Sequence, residues 1–137
     1  MRALQGLVSV LGRVLLCGIF LSSGVMHLVN YGPTLEATRG QGVPYPEVLL
    51  PGAIAFLLLG GVSVLIGFQA RIGALLLAVF LGLAAYYFHN FWTLPESAPE
   101  RMSQTAHFMK NVALMGAMLF IIANGSGAWS VDGKPKE

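Results

Sequence analysis

Three histidines and one lysine–asparagine pair are the residues of this chain best suited to bind a ligand or move a proton. The histidines are His27, His89 and His107, and Lys110 and Asn111 follow His107 at helical spacing. Residues three and four positions apart share one face of a helix, so the last three side chains are predicted to form a polar stripe. Imidazole exchanges protons near neutral pH and is a common metal ligand. The set predicts a site for hydrogen bonding, proton transfer or metal binding.

These residue types fit several ligands to different degrees. Three histidines with a glutamate would suit zinc or copper, and two histidines would suit a haem. The histidines are single, however, with no HxxxH or HxxH pair, so metal and haem are not favoured and no metal ligand is assigned. A quinone headgroup fits better, since it needs donors for two carbonyl oxygens, apolar walls and access from lipid. Besides the histidines, the chain offers donors from Lys110 and Tyr86 and walls from Phe88, Phe91 and Phe108.

The composition indicates that membrane helices position these side chains. Of the 137 residues, 55% are hydrophobic and only 10% are charged, and the mean hydropathy is +0.71. A soluble domain carries about 25% charged residues, so the composition excludes a disordered chain and does not favour a soluble globule. Four apolar runs, at residues 11–30, 49–68, 71–91 and 106–124, each approach the length of about 20 residues that crosses a bilayer. The prediction is an all-α fold: a single membrane domain, residues 1–137, forming an integral membrane four-helix bundle.

The basic residues predict the orientation of this bundle. Four spans put both termini on one side of the membrane. Five basic residues fall on the side of the termini: Arg2, Arg13, Arg71, Lys134 and Lys136. Three fall on the opposite side: Arg39, Arg101 and Lys110. Because cytoplasmic segments carry the excess of Lys and Arg, we expect cytoplasmic termini in a bacterial inner membrane. The basic residues form no stripe, so the expected partner is the lipid bilayer and not nucleic acid.

With this orientation all three histidines fall near the outer ends of their helices. The outer connections are residues 31–48, with a short interfacial helix near residues 34–39, and residues 92–105, an irregular loop. We expect three helices to converge on an outer polar pocket, because ionisable groups inside a membrane are costly and tend to be functional. Lys110, one turn inside its span, needs an anionic ligand or a carboxylate, for which Glu36 and Glu47 are candidates. The alternative is that these are polar helix ends that meet water.

Several short motifs, in this order and spacing, resemble the DoxX family of small bacterial membrane proteins. The motifs are GRVLL at residues 12–16, FLSSG at 20–24, GVP at 42–44, GFQAR at 67–71, FMKNVALMG at 108–116 and GAWSVD at 127–132. The resemblance implies four membrane helices with the termini inside. Family members are associated with a terminal quinol oxidase and with thiosulfate:quinone oxidoreductase, whereas other relatives look like assembly or cargo factors. One departure is His27, at a position where the family often has lysine.

These inferences combine into one functional hypothesis and one alternative. The hypothesis is a membrane component of a quinone-linked oxidoreductase, in which His89 and His107 exchange protons. Lys110, Asn111, Tyr86 and His27 would bind the quinone. The electron-carrying centre is expected on a partner redox subunit, and a homo-oligomer is the other expected assembly. The alternative is a non-enzymatic membrane scaffold or assembly factor for a larger complex.

Overall fold

The computed structural model describes residues 1–133, and helices form most of this range. The five α-helices are α1 (Arg2–Val29), α2 (Tyr31–Gly40), α3 (Pro46–Ile66), α4 (Ala70–Phe88) and α5 (Glu100–Asn124). A single 3-10 turn, Phe91–Thr93, follows α4. Four helices, all except α2, are long and apolar enough to cross a membrane. The all-α membrane fold predicted from the sequence is therefore confirmed.

Two of the spanning helices extend beyond the apolar runs that predicted them. Helix α1 begins at Arg2 instead of near residue 11, and α5 begins at Glu100 instead of near residue 106. Hydropathy marks where a chain enters lipid, whereas a helix continues until its backbone meets a breaker such as Pro99, which directly precedes α5. The loop predicted at residues 92–105 is correspondingly shorter. The interfacial helix predicted near residues 34–39 is present as α2.

The four spans pack in sequence order. Helix α3 packs against α1 and α4, and α4 also packs against α5, while no comparable interface joins α1 and α5 in the described part of the chain. The bundle is thus an arc with a seam between its first and last spans. Its core is formed by side chains from all four helices, among them Cys17, Leu57, Leu77 and Met118, which are fully buried.

Small residues allow α3 and α4 to approach closely. A Cβ atom added at Gly60 would lie 2.9 Å from the carbonyl oxygen of Gly73 and 2.8 Å from Cγ of Leu77. On α3, Ser63 also donates a hydrogen bond to the carbonyl of Phe68, 2.7 Å away, where the chain turns toward α4. Helices in lipid gain their packing energy from such close contacts, because burying apolar surface provides little driving force there.

A C-terminal strap, residues 125–133, closes the end of the bundle opposite α2. Arg13 is buried and donates hydrogen bonds from Nη1 to the carbonyl of Ser126 (3.3 Å) and from Nη2 to that of Trp129 (2.7 Å). The carboxylate of Asp132 accepts hydrogen bonds from the backbone N–H groups of Gln69 (3.0 Å) and Ala70 (2.9 Å). Asp132 therefore caps the start of α4, and the strap ties α1 to the α3–α4 turn.

The cytoplasmic orientation of the termini remains a prediction. Two of the five basic residues that support it, Lys134 and Lys136, lie outside the described residues. The structure does place Arg13 and Arg71 at the same end of the bundle, since the strap bonded to Arg13 also caps the helix that holds Arg71. We call this the terminal end and the opposite one the α2 end.

Candidate functional site

The α2 end of the bundle contains a cavity of about 720 Å³, which we call the large cavity. All five α-helices contribute to its wall, α1 and α5 from the two sides of the seam. Most of the lining is apolar, including Phe20, Phe56, Leu57, Phe80 and Leu114. A concave, mainly apolar space of several hundred Å³ with a few polar groups is typical of a small-molecule site.

Four of the polar residues predicted from the sequence line this cavity. They are His27 of α1, His89 at the C-cap of α4, and Lys110 and Asn111 of α5. Asn111 is only 6% exposed, and it lies in the wall of the cavity. Its amide can both donate and accept a hydrogen bond, so Asn111 is suited to receive a ligand atom in the cavity.

His89 and His107 lie together, but only His89 reaches the cavity wall. Their rings stack with centroids 5.1 Å apart and an interplanar angle of 26°. Nδ1 of His89 lies 2.8 Å from Oε1 of Gln104. His107 is exposed on the α5 surface and does not line the cavity. The two imidazoles thus form a stacked pair in which His89 faces the large cavity and His107 lies on the outer surface of α5.

The lysine finds neither of the carboxylates that the sequence suggested for it. Glu36 and Glu47 both pair with Arg39, and the Arg39–Glu47 contact measures 2.5 Å. The hydrogen bond that Arg39 donates to Glu47, with the negative charge of Glu36 beside it, raises the pKa of Arg39 above its usual value. This network joins α2 to the first turn of α3. Within residues 1–133 Lys110 makes no salt bridge, and its ammonium group remains available in the cavity wall.

Tyr86, predicted as a ligand-orienting residue, lies outside the large cavity. It is 60% exposed and packs edge-on against Tyr87 and at a tilt against Trp92. Neighbouring residues on a helix point about 100° apart, so the cavity wall receives Tyr87 in its place. Trp92 also packs in an aromatic group with Phe91 and Phe108. Such a group is typical of a membrane interface.

Sequence reasoning missed three further residues near the site. Thr34 and Thr38, one turn apart on α2, line the cavity, although both hydroxyls already donate to backbone carbonyls of α2 or its N-cap. Their i, i+4 spacing places both threonines on one face of α2, and this could have been recognised in the sequence. Gln104, the partner of His89, precedes the apolar run of its span, and no local pattern distinguishes it from other polar residues there.

The arrangement suits an amphipathic molecule more than a metal ion. In residues 1–133 no three side chains of the metal-binding types lie close enough to hold a metal together. The cavity offers a cation at Lys110, an amide at Asn111 and imidazoles at His27 and His89, beside an extended apolar wall. These groups can hydrogen-bond a polar head while the wall holds an apolar body.

Comparisons with known proteins identify the family. The sequence model of the DoxX family matches residues 8–90, which covers α1 to α4 and leaves Lys110 and Asn111 outside the match. "Inner membrane protein YqjF" of Escherichia coli (strain K12) is 31% identical over 132 residues, which cover 96% of this chain and 95% of that protein. "Inner membrane protein YphA" of the same organism is 25% identical, over 89% of this chain and 86% of that protein.

A eukaryotic protein is similar as well. "Surfeit locus protein 4 homolog" of Schizosaccharomyces pombe is 29% identical over 125 residues, which cover 91% of this chain but only 36% of that longer protein. No solved structure matches the chain. The four spanning helices and the bacterial relatives establish a multi-pass protein of the inner membrane. Because the family match covers more than half of the sequence, the chain belongs to the DoxX family.

Proposed function

We propose that this protein is the membrane component of a quinone-linked oxidoreductase and that its large cavity holds the quinone headgroup. One observation carries the proposal: a mainly apolar cavity of about 720 Å³ has in its wall a buried asparagine and a lysine that makes no salt bridge within residues 1–133. A quinone has the matching form, a flat apolar ring with two carbonyl oxygens. The volume lies inside the range of roughly 300–1,000 Å³ that small-molecule sites occupy.

Lys110 and Asn111 are the residues that we assign to the carbonyl oxygens. They are neighbours on α5, and both line the cavity. The Nζ of Lys110 and the Nδ2 of Asn111 are donors, as a carbonyl requires. A hydrogen bond from a charged donor contributes about 1.5–3 kcal/mol, so loss of Lys110 should weaken binding by roughly tenfold to hundredfold.

We assign proton exchange to the histidine pair. His89 lines the cavity, and its Nδ1–H donates to Gln104, so Nε2 is left as the proton acceptor. His107 stacks on His89 and is exposed, which suits it to pass the proton on to water. A bound quinol would supply two electrons and two protons. The electrons would leave to a partner redox subunit, for which the exposed faces of the spans leave room.

The seam between α1 and α5 supports access from the bilayer. Within the described chain these two helices share no interface as extensive as those between consecutive spans, yet both line the cavity. A quinone dissolved in lipid could enter there without crossing the polar ends of the bundle. His27 and Ser23 of α1 would then lie on one side of the entrance and Leu114 of α5 on the other.

Quinone content of the purified protein tests the proposal. The protein is purified in mild detergent, its visible spectrum is recorded, and the organic extract is analysed for quinones by mass spectrometry. We expect one quinone per chain, lost in Lys110→Ala and in Asn111→Leu. Met109→Ala is the matched control, because Met109 is a neighbouring α5 residue that is 58% exposed and outside the cavity wall.

Each other outcome has a defined meaning. A haem band would reassign the histidines as axial ligands. Absence of both quinone and chromophore, together with unchanged stability of Lys110→Ala, would contradict the proposal and favour the scaffold or assembly-factor alternative. Equal loss of quinone in Lys110→Ala and Met109→Ala would mean that the bound quinone is not in the large cavity.

A further inference from the structure

The terminal end of the bundle holds a second cavity, of about 520 Å³, which we call the terminal cavity. It lies at the opposite end from the large cavity, between the α3–α4 turn and the strap. Its lining is mostly polar and includes Gln69, Arg71, Asn124, Ser126 and Asp132. The proposed quinone function does not involve these residues.

The strap presents a run of backbone donors at this cavity. The N–H groups of residues 126–130 have no hydrogen-bond acceptor among residues 1–133, whereas those of Val131 and Asp132 bond to the end of α3. Gly125, Gly127 and Trp129 alternate with their neighbours at positive φ angles of 81°, 81° and 54°. Successive N–H groups in such alternating backbone form concavities that bind anions.

Arg13 explains why these donors remain free. It holds the carbonyls of Ser126 and Trp129 toward the bundle, on the side away from solvent. Ser9 donates to the same carbonyl of Ser126, at 3.2 Å. The carbonyls of Ser126 and Trp129 therefore bond to α1 and are not available as acceptors for the N–H groups of the strap. Ser126 adds a buried hydroxyl without a hydrogen-bond partner in the described residues, and the residue is only 8% exposed.

The charges at this end favour an anion. Arg71 lines the cavity, is exposed, and makes no salt bridge within residues 1–133. Arg13 is buried with no carboxylate bonded to it, and its Nε has no partner in that range. The one acidic group of the lining, Asp132, already accepts two backbone N–H groups at the start of α4. The lining thus contains the guanidinium group of Arg71 and one carboxylate that is already bonded to backbone N–H groups, and the guanidinium group of Arg13 is bonded to the same strap.

We propose that the terminal cavity binds a phosphate group, held by Arg71 and by the free N–H groups of the strap. Phosphate suits this set because its several oxygens accept many donors at once and because guanidinium binds it through two parallel hydrogen bonds. Two sources supply such a phosphate: the headgroup of an anionic lipid in the adjoining leaflet and a free phosphate ion. The donors and the charge are the same in both cases, and experiment distinguishes the sources.

A stability titration tests this site. Purified protein in an uncharged detergent is titrated with short-chain phosphatidylglycerol, with inorganic phosphate, and with sodium chloride at matched ionic strength. The melting temperature is recorded, and native mass spectrometry counts bound lipid. Arg71→Gln is the test variant, with Arg2→Gln as its control, because Arg2 is an exposed arginine of the same end that does not line the cavity.

Phosphatidylglycerol, phosphate or both should raise the melting temperature more than chloride does. The apparent affinity should fall at least about tenfold in Arg71→Gln, because the charged two-bond contact with phosphate is lost, and it should stay unchanged in Arg2→Gln. Stabilisation by the lipid alone assigns a headgroup, and stabilisation by inorganic phosphate assigns a free-ion site. The proposal is overturned if neither stabilises more than chloride, or if Arg71→Gln responds like the unchanged protein.

Discussion

Nδ1 of His89 lies 2.8 Å from Oε1 of Gln104, so the amide fixes which nitrogen of this imidazole carries the proton. An amide oxygen only accepts, and the neutral ring must then donate from Nδ1. Nε2 keeps its lone pair. This pairing joins the last turn of α4 to the start of α5 and orients an imidazole in the wall of the large cavity.

The first prediction concerns this tautomer. In Gln104→Leu the amide acceptor is lost, and the fraction of His89 that carries its proton on Nε2 should rise. Nitrogen-15 chemical shifts of labelled histidine report the two forms. Gln41→Leu, an exposed change outside the cavity, should leave the His89 signals in place. Identical spectra for Gln104→Leu and the unchanged protein would show that Gln104 does not position His89.

The second prediction concerns Arg13. Arg13→Gln removes two hydrogen bonds from a buried guanidinium to the strap. The free energy of unfolding should fall by about 2–4 kcal/mol, because hydrogen bonds from charged groups contribute about 1.5–3 kcal/mol each and are not fully additive. Amide hydrogen exchange of residues 126–133 should accelerate. Arg2→Gln, at an exposed position, should change stability by less than about 0.5 kcal/mol.

The third prediction uses two glycines of α1. A Cβ atom at Gly6 would overlap the indole ring of Trp129, whereas one at Gly12 would meet nothing within 4 Å. Gly12→Ala should stabilise the helix by about 0.5–1 kcal/mol, and Gly6→Ala should instead destabilise it by about 1–3 kcal/mol. In a Trp92→Phe background, the fluorescence of Trp129 should change only in Gly6→Ala. Equal effects of the two substitutions would contradict the contact.

The fourth prediction compares two leucines of α3. Leu57 is fully buried, whereas Leu59 is 65% exposed on the face that meets lipid. Leu57→Ala should lower the free energy of unfolding by about 2–5 kcal/mol because it opens a cavity beside the core. Leu59→Ala should cost less than about 1 kcal/mol, since lipid can fill the space. A denaturant titration in mixed micelles measures both, and similar losses would mean that Leu57 is not central to packing.

The sequence predicted the number and type of the spans because each needs a long apolar run, and it predicted the position of most polar cavity residues from their depth. It did not predict which side of each helix faces the cavity. Tyr86 was predicted to bind the quinone, yet the cavity is lined by its neighbour Tyr87. The packing of α3 and α5 against α4 determines which face of α4 lines the cavity, and no local sequence pattern encodes this packing.

The strap was also beyond sequence reasoning. Arg13 was interpreted as a basic residue that sets orientation, but in the structure it is buried and bonded to carbonyls more than a hundred positions away. Backbone carbonyls are present at every residue, so sequence composition does not show which of them a buried cation will select. The same limit applies to Lys110, whose expected carboxylates are engaged by Arg39.

The arc of helices has a consequence for biosynthesis. Each spanning helix has its main interface with the span made immediately before or after it, and no large interface joins the first span to the last. A newly inserted span therefore finds its packing partner already in the membrane, and contacts of this short sequence separation form quickly. Only the strap must wait, since Arg13 meets its carbonyl acceptors after the last span has been synthesised. The spans can thus pack in the order in which they are synthesised, and the strap binds Arg13 as the last step.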